Sequence, residues 1–123
     1  MPESKEVTFP KRGEVYLTNF DPTIGAEIRK TRPALVLQND FSNRHSPVTV
    51  VAAITSQVRD PARPTNVLVH FPEGGLTVDS VILLNQIRSI DKRRLSKRMG
   101  RLSPPTMARV DRALGISLGL VAI

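Results

Sequence analysis

The chain has 123 residues, 40% of them hydrophobic and 4% aromatic, with no cysteine and a formal net charge of +7. That length suits a single core, and the scarcity of aromatics leaves Val, Leu and Ile to build it. Disulfides and thiolate metal sites are excluded. The polar start Met1–Glu6 is not expected to act as a secretory signal, and no apolar run is long enough to span a bilayer, so a cytoplasmic location is expected.

Residues 1–10 read as a loose arm and residues 11–123 as one domain. Glu14–Asn19 alternates and predicts a first strand. Phe20–Glu27 is turn-rich and predicts a long loop. The polar run from Glu27 to Arg32 then enters an apolar strand, Pro33–Gln38, whose backbone Pro33 fixes at its start. A strand end can hold Arg32 in place while the loop before it, with Gly25, moves. A fixed guanidinium under a mobile polar loop suits phosphate binding. Asn39–Pro47 reads as a polar loop. Thr49–Ile54 reads as a strand that ends in Thr55-Ser56-Gln57. If these two strands share a sheet, Arg32 and Thr55 face one pocket.

Gln57–Thr65 carries Pro61 and Pro64 and predicts a second exposed loop. Asn66–His70 predicts a strand, closed by the turn Pro72–Gly75. Ser80–Leu84 is apolar enough for burial on both faces, and Gln86–Ile90 continues it after a bend near Asn85. Many short strands separated by turns predict a mainly β, antiparallel barrel.

Between Lys92 and Arg112 the chain holds eight basic residues and one acid, Asp111; the remainder balances, ten against ten. The net charge is therefore regional, which suits a polyanionic partner, nucleic acid or an acidic protein. Arg93, Arg94, Lys97, Arg98 and Arg101 are expected to cluster around a short strand or turn. A C-terminal helix follows. Ser103 is placed to cap it and Pro104 to start it. Met107, Val110, Leu114, Leu118 and Val121 recur on one apolar face, which predicts packing on the sheet despite Gly115 and Gly119.

Several segments together resemble the MazF/PemK-type toxins, small endoribonucleases of type II toxin–antitoxin pairs. They are Lys11–Tyr16, Asp21–Glu27, Thr31–Val36, Gln38–Asp40, Val51–Thr55, Asp79–Leu84 and Gln86–Asp91, in order along the chain. The resemblance implies an SH3-like antiparallel β-barrel with a C-terminal α-helix, the MazF/PemK/CcdB-like toxin fold, assembled as a homodimer. It implies sequence-specific, ribosome-independent cleavage of single-stranded RNA, with no metal and no cofactor, to 2′,3′-cyclic phosphate and 5′-hydroxyl ends. It implies an acidic MazE-like antitoxin as partner. The family's catalytic arginine and threonine fall on Arg32 and Thr55, and its loop glutamate falls on Glu27.

The chemistry of these residue types agrees. Arg32 can stabilise a phosphorane with two parallel hydrogen bonds, but it is a poor proton shuttle because its pKa exceeds about 12. Thr55 can orient the phosphate. Glu27 is a possible general base if its loop closes. RNA bases are expected to meet Phe20, Thr23 and Thr31, with Ser56 and Gln57 beyond Thr55 and Gln86 and Arg88 on the last strands. Phe20 could stack on a base or anchor its loop in the core. His45 and His70 match no catalytic position, and no ligand spacing for a metal is present. Two alternatives remain on the same fold: a non-enzymatic gyrase poison and an inactive RNA-binding module. The end Gly119–Ile123 lacks the tryptophan that such poisons present.

Overall fold

The computed structural model describes residues 8–22, 24–27 and 30–123. Most of the N-terminal arm (residues 1–7) and the candidate base contact Thr23 lie outside the described residues. The elements run β1 (Glu14–Asn19), β2 (Thr31–Val36), α1 (Asp40–His45), β3 (Val48–Thr55), β4 (Asn66–Val69), β5 (Ser80–Asp91), β6 (Leu95–Arg101) and α2 (Pro104–Ser117). Short 3₁₀ turns at Glu73–Gly75 and Lys92–Arg94 flank β5. All strand pairings are antiparallel. They form one six-stranded sheet in the order β4-β5-β3-β2-β1-β6.

Both faces of the sheet are apolar. Leu35, Ala52, Ile54, Ile82 and Leu84 point to one side, where they pack with Val67, Val69, Leu102, Val110 and Ala113, the last two from α2. The intervening residues Ala34, Val36, Val51 and Ala53 point to the other side and pack with Phe20 and Ile90. This is the near-continuous hydrophobic pattern of strands covered on both sides. Burial of this set, at about 25 cal/mol per Å² of apolar surface, is the main stabilising term.

The hydrogen-bond ladder does not close into a complete barrel, because β4 and β6 remain its edges. The turn after β4 nevertheless lies against β6. A Cβ on Gly75 would stand 1.9 Å from the Met99 carbonyl oxygen, and one on Gly100 would stand 2.5 Å from the Gly74 carbonyl carbon. Backbone therefore rests directly on backbone at this seam, which only glycine permits. The seam brings the two ends of the sheet together without a ladder.

Three elements differ from the sequence reading. Asn39–Pro47 holds a six-residue helix where a loop was expected. The Asn39 side chain accepts the Ser42 N–H at 2.8 Å, a cap. The buried Asn43 amide donates to the Gln38 carbonyl at 2.8 Å and accepts the Thr49 hydroxyl at 2.7 Å. Such a short helix has no room for apolar periodicity to show. β6 is a full seven-residue strand, its charged side chains being those of a guarded sheet edge. Finally, α2 stops at Ser117. Gly119 takes φ +74°, its N–H returns to Ile116 O at 3.1 Å, and the Leu120 N–H returns to Gly115 O at 2.8 Å. That is a Schellman termination, so Val121 leaves the helical face and folds over Gly115 instead.

The start of α2 follows expectation. The Ser103 hydroxyl oxygen accepts the Thr106 N–H, and Glu73 Oε2 accepts both the Ser103 N–H and its hydroxyl at 3.0 Å. Burial alone would raise the Glu73 pKa. The bonds from Ser103 and Thr106 and the nearby Arg109 charge outweigh it and leave the carboxyl below its ordinary range. No helix among the described residues is long and apolar enough to cross a membrane.

Candidate nucleic-acid cleft

The strands deliver Arg32 and Thr55 to the same end of the sheet. β2 begins at Thr31, two residues before the expected start, so Arg32 lies inside the strand and opposite Thr18 of β1. On its other side, β2 pairs with β3 through Ala34↔Ala53. Period-2 alternation puts Arg32 on the face of Ala34, and Thr55 on the face of Ala53. The second apolar cluster is thus the floor beside which both polar side chains stand.

A cleft of about 330 Å³ opens there. Arg32, Thr55 and Gln57 line it, as do Arg59, Asp60 and Arg63 from the proline-bounded loop before β4. Three guanidiniums against one carboxylate make this wall cationic, as a phosphate chain requires. Asn66, Leu83, Asn85 and Gln86 complete it with Ala26. The last two β5 residues reach the cleft through a bulge. Register jumps from Ala52↔Ile87 to Ala53↔Leu83, so Leu84–Gln86 leave the β3 ladder. The Leu84 N–H turns to Thr65 O at 2.9 Å. The bend expected near Asn85 is this bulge.

A second groove of about 320 Å³ shares Ala26, Asn85 and Gln86 with the first, and adds Glu27, Ile87 and Arg88. Glu27 therefore lies beside the Arg32 cleft, not in its wall. Its Oε1 accepts the Ile24 N–H at 2.6 Å, and its own N–H donates to Ile24 O at 3.2 Å. This carboxylate organises the exposed tip of its own loop. Thr55 Oγ1 accepts the Gln57 N–H at 3.1 Å, which leaves the hydroxyl hydrogen free to donate to a substrate oxygen.

The neck of the first loop is tightly held. The Phe20 N–H donates to Lys30 O at 3.0 Å, and the Lys30 N–H to Asp21 Oδ1 at 2.9 Å. Arg88 Nη1 donates to Phe20 O at 3.1 Å, with its guanidinium 5.7 Å from the centre of the Phe20 ring. Arg94 Nη1 donates to Asn19 O at 3.2 Å and to Asp21 O. Phe20 is fully buried. The stacking role considered for it is therefore corrected: the ring is a core anchor and presents no face to a base. Arg88 lines the second groove while it braces this anchor.

Of the remaining candidates, Thr31 and Ser56 are exposed at the strand ends but line neither groove, whereas Gln57 and Gln86 do line the cleft. Gln86 Nε2 reaches Ala26 O at 3.5 Å. The sequence reading missed Arg59, Arg63, Asn66 and Asn85. Two arginines in the loop straight after Thr55 were the available signal, but they lie outside the basic segment that drew attention.

The histidines lie elsewhere. His45 sits in α1, at the opposite end of β2 and β3, with its ring 4.7 Å from Phe41. His70 Nδ1 is 3.1 Å from Asp79 Oδ2 at the end of β4. Among the described residues no three of His, Asp and Glu converge as a metal site. Much of the basic segment is engaged. Arg98 Nε bonds the buried Glu14, Arg109 Nη2 donates to Leu68 O at 2.7 Å, and Arg93 chelates Asp91. Hydrogen bonds from Arg93 hold the Asp91 carboxyl down to about 2.

A small, glycine-seamed antiparallel sheet with one capping helix and a cationic cleft at a strand end defines a mainly β protein built to hold a polyanion. The chain belongs to the family described as the PemK-like, MazF-like toxin of type II toxin–antitoxin systems, which it matches over residues 11–118. It is 48% identical over 111 residues to Endoribonuclease EndoA of Bacillus subtilis (strain 168), covering 90% of this chain and 96% of that one. It also matches the crystal structure of MazF from Deinococcus radiodurans, with a TM-score of 0.78 and 30% identity, over 92% of this chain and 99% of that one. An endoribonuclease in complex with its cognate antitoxin from Mycobacterial species matches with a TM-score of 0.76 and 27% identity, over 93% and 99% of the two chains.

Proposed function

We propose that this chain is the toxin of a type II toxin–antitoxin pair, a cytoplasmic, ribosome-independent endoribonuclease that cuts single-stranded RNA at specific sequences. The observation that carries this reading is the shared cleft of Arg32 and Thr55, walled by Arg59 and Arg63. The scissile phosphate binds against Arg32, whose two parallel N–H bonds favour the doubly charged phosphorane over the ground state. The Thr55 hydroxyl donates to a phosphate oxygen and fixes its orientation. The 2′-hydroxyl attacks phosphorus, the P–O5′ bond breaks, and the departing 5′-oxygen takes a proton from water, so the products are a 2′,3′-cyclic phosphate and a 5′-hydroxyl. Glu27 is the proposed base for the 2′-hydroxyl proton. It acts when substrate draws its loop from the second groove over the first, which releases the Ile24 N–H.

Gln57, Gln86 and Arg88, together with Thr23, Thr31 and Ser56, are proposed to contact flanking nucleotides. The working form is a homodimer, and an acidic MazE-like antitoxin occupies the cationic cleft and silences it. The decisive experiment incubates purified protein with a long RNA. Discrete fragments with cyclic-phosphate ends are expected, and a single 2′-deoxy substitution at the cut nucleotide should block cleavage there. RNA left intact while bound would instead identify a binding module.

A further inference from the structure

The floor of the cleft runs across the sheet, not along it. Register places Ala34 of β2, Ala53 of β3, Leu83 of β5 and Asn66 of β4 in one row, each opposite the next. Residues opposite one another share a face, so this row lies on the face that carries Arg32 and Thr55. Neighbouring strands stand about 4.8 Å apart, so the three steps from β2 to β4 cover about 14 Å. Arg32 marks one end of that span. Asn66 opens β4 at the other, pairs with Leu83 of β5 and lines the cleft with it.

The loop from Thr55 to Asn66 joins β3 to β4 past β5, which lies between them in the sheet. It contributes Arg59, Asp60 and Arg63 to the cleft. Its path is fixed by its own backbone. Asp60 takes φ +47°, a conformation that Asp tolerates. The Asp60 carbonyl accepts both the Arg63 N–H and Asn66 Nδ2, each at 3.0 Å. The Arg59 N–H donates to Gln57 O at 2.9 Å, and the Asn66 N–H to Arg63 O at 2.9 Å. Pro61 and Pro64 restrict it further. Both arginines thus rise from a tied-down main chain into solvent. Asp60 Oδ2 lies 3.5 Å from Arg63 Nη2 and engages one of the five N–H donors of that guanidinium. Cations anchored at opposite ends of a cleft suit successive stations on one polyanionic chain, since like charges crowded onto one point repel.

We propose that Arg59 and Arg63 form a second phosphate subsite at the β4 end of the cleft, which grips a backbone phosphate one or two nucleotides from the scissile one and lays the RNA across the strands. The inference rests on the reading of the chain as an RNA endonuclease, and adds the path of the strand and what holds it. The subsite supplies affinity and alignment. It takes no part in bond-breaking and reads no base.

The test uses a short RNA with a 2′-deoxy nucleotide at the cut, which binds without being cleaved, and replaces each phosphate in turn with an uncharged methylphosphonate. In wild type, neutralising one phosphate away from the cut should weaken binding about tenfold, the scale of a charge-assisted contact. In Arg59→Gln/Arg63→Gln the same replacement should have no effect, while replacement of the scissile phosphate keeps its full effect. The salt slope should flatten by about one phosphate contact's worth. On cleavable RNA the double variant should raise KM about tenfold and leave kcat and the cut motif unchanged. Arg59→Lys/Arg63→Lys keeps both charges and should restore sensitivity to that phosphate. Where circular dichroism shows the Gln double variant unfolded, the two single Gln variants take its place, each losing part of the effect.

An unchanged phosphate profile in the folded Gln variant overturns the inference. A loss shared evenly by all phosphates also overturns it, and leaves only a diffuse field. A fall in kcat with KM unchanged overturns it too, and moves both arginines to the scissile phosphate. Wild type that binds the RNA yet never cuts its all-ribose form defeats the endonuclease reading, while the phosphate scan still decides the subsite.

Discussion

Arg32 and Thr55 stand across from each other on adjacent strands, since the Ala34↔Ala53 register carried two residues outward pairs them at the cleft. A cation and a hydroxyl fixed by one ladder approach a single phosphate together. Arg32→Ala should lower cleavage by about three orders of magnitude, the scale of removing a preorganised charge donor, with an unchanged circular dichroism spectrum. Thr55→Ala should lose less, because a neutral hydrogen bond is weaker than a charged bidentate one. Initial rates on one short RNA rank the two, and a larger loss in Thr55→Ala would invert their roles.

Cleavage should persist in excess EDTA. The cleft supplies phosphate binding through Arg32 and hydrogen bonding through Thr55, both from side chains. His45→Ala and His70→Ala should each retain substantial activity, since neither side chain lines the cleft. Dependence on added magnesium or manganese would overturn the proposed mechanism.

Glu73 links pH to the anchorage of α2. Its folded pKa lies below the ordinary value of 4.5, so its stabilisation is complete above that value and is lost as pH falls through the folded pKa. Glu73→Gln should therefore lower stability near neutrality by about 0.3–1 kcal/mol, the usual worth of a charge at a helix N-terminus. The difference from wild type should close in acid. Urea melts across pH 7 to 3 measure both.

The seam between Gly75 and Gly100 leaves no room for a methyl group. Gly100→Ala places a Cβ 2.5 Å from Gly74 C and 2.6 Å from Gly75 N, atoms of the main chain that cannot rotate aside. A cost of about 2 kcal/mol or more is expected, as for overpacking a rigid contact. By contrast, Gly25→Ala meets no atom within 4 Å and should cost only the strain of its positive φ. Thermal melts of the two variants compare steric crowding with backbone strain.

The basic segment divides into braces and free charge. Arg98→Gln removes the guanidinium partner of buried Glu14 and should destabilise the fold. Lys97 and Arg101 are exposed on the same strand. Replacing both with Gln should weaken RNA binding at low salt and flatten its salt slope by about two phosphate contacts' worth. The cut motif should stay unchanged, since phosphate contacts carry no base information. Filter binding over a salt series checks the slope, and an unaltered slope would reduce these charges to solvated surface.

β1 was legible to the residue because Glu14–Asn19 alternates, and the start of α2 because Ser103 and Pro104 are a chemically defined beginning. What escaped was structure set by backbone geometry or by distant partners. α1 depends on an Asn43 hub that joins residues separated along the chain. The end of α2 turns on one glycine that reads equally as a weak interior position. At the site, a cation at one strand's start and a hydroxyl at the next strand's end were enough to predict a shared pocket. Arg59, Arg63 and Asn66 were not predictable, because their approach requires a loop fold with Asp60 in the left-handed region. Phe20 was ambiguous because an aromatic at a strand end serves equally as platform or plug, and only its burial decides between them.

The clamp of Phe20, Arg88, Arg94 and Lys30 on the base of the first loop separates two kinds of inheritance. Everything below the clamp is bound to the core and tolerates little revision. The segment between Asp21 and Lys30 starts and finishes at the same fastened place, so insertions or deletions there leave the strands in register. A lineage that keeps Glu27 can therefore revise the rest of this segment while the folding unit stays as it was. The same property makes it a natural place to insert foreign sequence without disturbing the scaffold.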